Sequence, residues 1–402
     1  MKKLQKKKPS VLFLVQNLPV PFDRRVWMEA TSLANSDYAV TVVCPTSKLH
    51  SSLSEELSGI KIIRYPMIRE GREFAGMILE YLWSITCTFL IVAWLSVRRN
   101  IEVVHFSNPP DLLFLCALPA KLLRRSRLVY DQHDLCPELW KTKSPNGKSR
   151  PIIRLLAAAE KTSYRVADFV IVPNESYKSI ALQRGRVISE KIEIIRSGPK
   201  MEFSIQEPKI VRNCNDRVRL VYLGTMGSQE GIEILLDAVR QLRLRNNEVD
   251  YKLDLIGDGP ERVQLEQYSD NIGLSETCYF HGRISDSSLR EFLKDADIAV
   301  NPDRPSIFND LSSMNKIVEY MAFGIPIVQF SSQEGNFTAR DAAVSVSESD
   351  SSALARAIED IRIDFDKRKS MSRFGLIRFR ELSWETQATK LIGVYERVLR
   401  FR

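Results

Sequence analysis

A lysine and a carboxylate three residues apart, at the mouth of a loop-to-helix junction, are the first groups in this sequence equipped for chemistry. They are Lys316 and Glu319, in the stretch NDLSSMNKIVEYMAFGIPIV, residues 309–328. Ser312 or Ser313 is expected to cap a helix beginning there, which puts Lys316 in its first turn. A cation is disfavoured beside the positive end of a helix dipole, and a bound polyanion would remove that conflict. Glu319 falls one turn on, on the same face as Lys316 and Asn315. One cation for phosphate and one carboxylate for vicinal hydroxyls suit a nucleotide diphosphate that carries a sugar. An exposed ion pair within one helix is the plain alternative. The polar loop before the helix contributes Asn309, Asp310 and Met314.

Three glycine-bearing strand ends accompany it. YLGTMGSQEG holds Gly224, Thr225, Met226 and Gly227; LIGDGPE holds Gly257 and Gly259; FHGRIS holds Gly282, Arg283 and Ile284. Glycine lets a backbone approach a ligand, and the free amides of a helix start attract phosphate. Ordinary turns use the same residues. In the first half, PFDRRVW supplies Asp23 and Arg24, HFSNPPDLLF supplies Asp111, and YDQHDLCPELW supplies His133 and Asp134. Asp23 and Asp111 equally suit the first turn of a helix. His133 lies just past an apolar strand and is the leading candidate for a contact to a reacting centre. No carboxylate pair at helical spacing offers what a glycosidase needs. No G-x-G-x-x-G follows the first strand, which disfavours a dinucleotide-dependent dehydrogenase.

The elements that must position these groups are legible as alternation. Short apolar runs at 11–15, 39–44, 60–65, 102–106, 127–131, 169–173 and 192–196 are separated by helix-like stretches. The rhythm repeats at 218–224, 251–257, 277–282, 297–302, 325–330 and 343–346. Continuously apolar strands alternating with helices imply parallel sheets covered on both faces. The expectation is α/β: two doubly wound, Rossmann-like domains in tandem, residues 1–200 and 201–384, with a helix at 385–402 returning to the first. The polar stretch 197–217 reads as the link. In such folds ligands bind beyond the carboxyl ends of the strands, so the site is expected in a cleft between the domains.

Charge is uneven. Residues 1–200 hold 31 Lys/Arg against 18 Asp/Glu, and residues 201–402 hold 27 against 32, giving +13 and −5 within a net charge of +8. A basic half suggests an anionic partner. With no zinc-ligand spacing, helix-turn-helix or ribonucleoprotein pattern, nucleic acid is not expected. An anionic membrane surface fits better, because residues 77–97, MILEYLWSITCTFLIVAWLSV, are long and apolar enough to cross one. Glu80 and four Ser/Thr interrupt that run, arginines flank both ends (Arg69, Arg72, Arg98, Arg99), and strands on either side must join one sheet. A buried or membrane-dipping helix is therefore expected. The six scattered cysteines read as reduced thiols. The basic N-terminus has too short an apolar run for a signal peptide.

The motifs quoted above, taken in order along nearly the whole chain, resemble glycosyltransferase family 4, most specifically in KIVEYMAFGIPIV. The resemblance implies a GT-B fold and a retaining, metal-independent, hexosyltransferase-type enzyme without a cofactor. It implies a C-terminal domain for a UDP- or GDP-linked sugar donor and an N-terminal domain for the acceptor. Glu319 matches the second acid of the family's E-x7-E motif, which binds the donor ribose; the first falls on Leu311. Two family cations of the phosphate loop fall on Thr225 and Glu230, with Lys316 and Arg283 as the substitutes considered. His133 matches a histidine near the donor sugar. The composition adds a lipid-linked or polysaccharide acceptor and a peripheral place on the cytoplasmic membrane face. A nucleotide-sugar 2-epimerase of the same fold and a catalytically silent scaffold partner are the rivals.

Overall fold

The computed structural model describes residues 8–67, 74–143, 150–205, 211–215 and 217–400. The N-terminal lysines up to Lys7 and the flanking Arg69 and Arg72 lie outside them. The chain divides into two compact units, residues 1–196 with 387–402, and residues 197–386.

Unit 1 opens with β1 (Ser10–Leu14), α1 (Arg24–Asn35), β2 (Ala39–Pro45), β3 (Ser54–Leu57) and β4 (Ile60–Tyr65). The long α2 (Phe74–Arg98), β5 (Val103–Ser107), α3 (Phe114–Arg124) and β6 (Arg127–Asp131) follow. Then come α4 (Cys136–Lys143), α5 (Arg150–Val166), β7 (Phe169–Val172), α6 (Glu175–Ile180) and β8 (Ile192–Ile194). The strands form one sheet in the order β3-β4-β2-β1-β5-β6-β7-β8. It is parallel except for β3, which runs antiparallel to β4. That strand, SEEL, has no apolar run to betray it in sequence; a charged, mostly exposed edge is what keeps a sheet from pairing with another chain.

Unit 2 contains β9 (Arg217–Leu223), α7 (Ile232–Arg245), β10 (Asp250–Ile256), α8 (Arg262–Asn271) and β11 (Cys278–Gly282). It continues through α9 (Asp286–Asp295), β12 (Ile298–Asn301), α10 (Ile307–Leu311), α11 (Asn315–Ala322), β13 (Ile327–Phe330), α12 (Gln333–Ala339) and β14 (Ala343–Val346). Three helices close the chain: α13 (Ser351–Ile363), α14 (Phe365–Leu382) and α15 (Trp384–Arg400). Its six strands are all parallel, ordered β11-β10-β9-β12-β13-β14. Both units are thus Rossmann-like, and in each the first strand sits at the topological switch point, β1 between β2 and β5 and β9 between β10 and β12.

The strand-end glycines of unit 2 serve first to stack loops. Gly224 N donates to Ile256 O and Gly257 N to Gly282 O, so the ends of β9, β10 and β11 are laced together. A Cβ on Gly257 would meet Gly224 O at 1.8 Å, and Gly257 has φ +135°. Gly257→Ala should cost about 3 kcal/mol or more, strain and backbone clash together; a urea melt of the variant checks this, and wild-type stability would refute it.

The helix α2 is inside out. Its inner face carries Ser84, Thr88, Val92, Leu95 and Ser96, all buried, while Leu82, Leu90, Trp94 and Val97 stand exposed. A wholly buried helix is excluded as a reading of this segment. All six cysteines are free.

Candidate functional site

The switch point of unit 2 gathers a lysine and two acids. Lys316 Nζ donates to Asp303 Oδ1 at 2.7 Å and to Glu230 Oε2 at 3.0 Å, and sits over the Tyr222 ring at 4.9 Å. Glu230 comes from the loop after β9 and Asp303 from the loop after β12. Lys316 is only 8% exposed. Burial alone would lower its pKa; the charge of Asp303, then Tyr222 and Glu230, raises it well above the usual lysine value. The ammonium is therefore favoured in its charged form and already paired with two acids. This corrects the expectation of a cation open to phosphate. The helix start is corrected too: α11 begins at Asn315, with Met314 at its N-cap and no side-chain cap. Ser312 instead closes the short α10, its Oγ donating to Phe308 O. Ser313 and Glu319 are half-buried, and Asn315 is exposed.

Asp303 is the unstable member of this trio. Burial raises its carboxyl, Lys316 opposes and Glu230 adds to the rise, for a net shift up to about 7. Burial alone would raise Glu230, but Lys316 together with hydrogen bonds from Asp303 and Tyr222 holds it below its ordinary value. The Asp303 Oδ2 atom is buried without a hydrogen-bond partner among the described residues. A raised folded-state pKa means that the folded protein holds a proton which the unfolded chain has lost, so this group lowers stability as pH climbs from about 4 toward 7. Below about 7 the neutral acid leaves more of the Lys316 charge for an anion. Asp303→Asn should therefore tighten inorganic pyrophosphate binding at pH 8 about fivefold and flatten its pH dependence; calorimetric titration at pH 6 and 8 reads it.

Beside the trio, a cavity of about 360 Å³ opens at the ends of β12 and β13. Asn309, Asp310 and Met314 line it together with Asn301, Asp303 and Ser332. Asn301 Oδ1 and Asp303 Oδ2 are buried acceptors without partners among the described residues, a lining that suits a hydroxyl-rich ligand. Asn309 is itself committed, donating from Nδ2 to Gln229 O and Arg304 O. Asp310 Oδ1 accepts from Gln333 N. Of the other candidates, Met226 is fully buried in the core, a correction, and its amide and carbonyl hold Asp258 and Glu261. Gly227 is also buried, Thr225 and Arg283 are exposed, and Ile284 is half-buried. Gly259 and Gly282 serve close approach, since a Cβ would meet Met226 O at 2.3 Å and Arg262 Nη1 at 2.7 Å respectively.

Unit 1 has its own charged cluster. Arg25 grips Asp131 with both arms, Nε to Oδ2 at 3.0 Å and Nη2 to Oδ1 at 2.7 Å, and its Nη1 donates to Ile195 O at 2.9 Å. His133 Nε2 lies 2.5 Å from Asp131 Oδ2. Burial would raise Asp131, but Arg25 and then His133 hold it well below the usual carboxylate range. An ionised Asp131 can only accept, so His133 Nε2 donates to it and Nδ1 is the ring nitrogen left for a ligand. The loop is fixed by Asn108, whose Oδ1 accepts from His133 N at 2.6 Å and whose Nδ2 donates to Asp134 O at 2.7 Å.

Glu29 and His105 complete the cluster, both fully buried. Burial first, then Asp131, raises Glu29 well above the ordinary value; burial lowers His105. His105 Nδ1 pairs with the Tyr395 hydroxyl at 2.8 Å. Glu29, His105 and Asp131 bring donor atoms within 4.8 Å of one another, spacing that a cation could use. The Arg25 guanidinium already supplies positive charge there, 3.3 Å from Glu29 Oε1. The sequence marks Arg25 only as a neighbour of Asp23 and Arg24 in PFDRRVW, and gives Glu29 and Asp131 no role. The signal was present: helical period puts Arg25 and Glu29 beside Val26, Ala30 and Leu33 on the buried face of α1.

The acceptor-side candidates separate. Asp23 is the N-cap of α1, accepting from Val26 N at 3.1 Å, and Arg24 is exposed in the first turn. Asp111 faces inward, 3% exposed, accepting from Tyr130 OH and Asn108 Nδ2, with burial pushing its carboxyl to about 6. That corrects its assignment to an acceptor.

Residues 23–198 match the family described as "Glycosyl transferase 4-like domain", and residues 217–364 match "Glycosyl transferases group 1". An uncharacterised glycosyltransferase of Methanocaldococcus jannaschii is 27% identical over 168 residues, 40% of this chain. The chain spans 41% of that relative's length. Sucrose-phosphate synthase from Thermosynechococcus elongatus is similar in structure with a TM-score of 0.77 at 17% identity, over 98% of this chain and 100% of that one. Anabaena HepE in complex with UDP and glucose is similar with a TM-score of 0.72 at 17% identity, over 97% and 100%. The fold is GT-B, and most of the chain is related to glycosyltransferase domains.

Proposed function

We propose that this chain is a retaining glycosyltransferase that moves a sugar from a UDP- or GDP-linked donor to a lipid-linked or polysaccharide acceptor, working peripherally on the cytoplasmic membrane face. What carries this reading is that both units match glycosyltransferase families over the segments that build the strand-end loops. Unit 2 takes the donor. The start of α11, where no side chain caps the amides, attracts the diphosphate, and Glu319 holds the ribose. The cavity with the unpartnered Asn301 and Asp303 oxygens receives hydroxyls of the donor. Unit 1 takes the acceptor, with Arg24 in the first turn of α1 and Asp134 in the loop after β6. His133 presents Nδ1 to the reacting sugar. The step is electrostatic: fixed dipoles stabilise the departing diphosphate while the acceptor attacks the face it vacates, and it needs no metal.

One observation favours a catalytically silent partner of the same fold. Lys316 is paired with Asp303 and Glu230, which leaves less positive charge for a diphosphate. A thermal-shift screen of UDP- and GDP-sugars, followed by an assay of nucleotide release with acceptor, separates the two. The enzyme should melt higher with at least one sugar nucleotide and release the nucleotide. A chain that no sugar nucleotide stabilises and that releases none would sink the proposal.

A further inference from the structure

We infer that the outward face of α2, with the adjoining C-terminal ends of α2 and α3, is a docking surface for a lipid bilayer bearing anionic headgroups. This builds on the proposed membrane-borne acceptor and goes further by naming the face. Leu79, Leu82, Phe89, Leu90, Trp94 and Val97 recur at spacings of three, four and seven, which places them along one stripe of the helix. All are 40–67% exposed. The opposite face holds the hydroxyls of Ser84, Thr88 and Ser96 in the interior. Thr86 is the one Ser or Thr on the outer face, and its Oγ1 donates to Leu82 O within the helix. A helix that turns its other three Ser and Thr hydroxyls inward and this apolar stripe outward is arranged for an apolar medium. α3 packs against α2 and adds Leu122 and Leu123, 78% and 58% exposed.

The charges choose the partner. Arg124 donates to Ser96 O and Val97 O, joining the two helix ends. Arg98, Arg99, Arg124 and Arg125 gather there, all exposed, with the Arg98 guanidinium 4.5 Å from the Trp94 ring centre. The stretch Phe89–Arg99 contains no acid, so the same face of a second copy offers it no counter-charge, whereas anionic headgroups do. An aromatic ring beside arginines is the composition of a bilayer interface. The helix lies in the surface rather than crossing it, because Val92, Leu95 and Ser96 are packed into unit 1 and a crossing helix would be sheathed in lipid all round.

Flotation of the full chain with vesicles tests this. Binding is expected to phosphatidylcholine vesicles containing phosphatidylglycerol, and much weaker binding to phosphatidylcholine alone. Leu90→Ser with Trp94→Ser should weaken binding about tenfold or more. Arg98→Gln with Arg99→Gln should weaken it roughly tenfold at low salt, about fivefold or less for each charge near the surface. Both pairs are exposed, so melting temperatures should match the wild type. Equal binding to neutral vesicles, or no binding to either, overturns the inference. So does retention in membranes through alkaline carbonate, which marks a crossing, or a dimer that the serine pair dissolves without any vesicle binding. Vesicle binding with no sugar-nucleotide shift would leave the docking face standing and remove the proposed reaction.

Discussion

Asp131→Ala is expected to destabilise the protein by about 3–5 kcal/mol, the cost of breaking a buried ion pair from one side. The guanidinium of Arg25 would keep its desolvation and lose both carboxylate oxygens, retaining Ile195 O and the more distant Glu29. Glu29→Gln is the contrasting variant. Burial and Asp131 favour its protonated form, so an amide of the same shape should cost clearly less stability near neutral pH than Asp131→Ala does. The pH dependences have opposite signs. Asp131, depressed in the folded state, contributes stability above the ordinary aspartate range and loses it on acidification. Glu29, raised in the folded state, makes the protein less stable as pH climbs above the ordinary glutamate range, and Glu29→Gln should remove that decline. Denaturant melts between pH 5 and 9 read both effects; equal losses in the two variants would show that Arg25 does not discriminate between them.

His133→Ala should lower kcat by about a hundredfold while the melting shift given by a sugar nucleotide is retained. The ring's buried partner, Asp131, keeps both contacts from Arg25 when the ring is removed, and the His133 side chain is 18% exposed, so the fold should survive. Asp131→Asn tests how the ring is aimed. An amide can donate to Nε2 and force the proton to Nδ1, removing the acceptor that the site presents. Nitrogen chemical shifts of labelled histidine should show His133 protonated at Nε2 in the wild type and redistributed in Asp131→Asn. A wild-type ring protonated only at Nδ1 would contradict the geometry. An unaltered kcat in His133→Ala would remove the histidine from the reaction.

Much of the architecture is legible because buried parallel strands are short unbroken apolar runs, and thirteen such runs coincide with strands to within a residue or two. β3 escaped because an edge strand of Ser, Glu, Glu and Leu is selected to look unlike the others. The candidate site is legible only where partners are close in sequence. Lys316 and Glu319 were a natural pair on one helix, yet the lysine's partners lie 13 and 86 residues away. Asp131 stands 106 residues from Arg25. Such pairs are made by the switch points of the two sheets, which bring loops of distant strands together. The helix start was misplaced for a local reason: Ser312 follows a five-residue helix that a polar, irregular sequence does not announce.

Helix α15 has one more consequence. From Gln387 onward it belongs to unit 1, where Leu391, Val394, Tyr395 and Val398 are buried and Tyr395 meets His105 and Tyr38. These residues leave the ribosome only after all of unit 2 has been synthesised. The first unit to be translated must therefore wait, with one flank of its sheet uncovered, until the second is complete, and a nonsense mutation late in the reading frame would damage the beginning of the protein as much as its end.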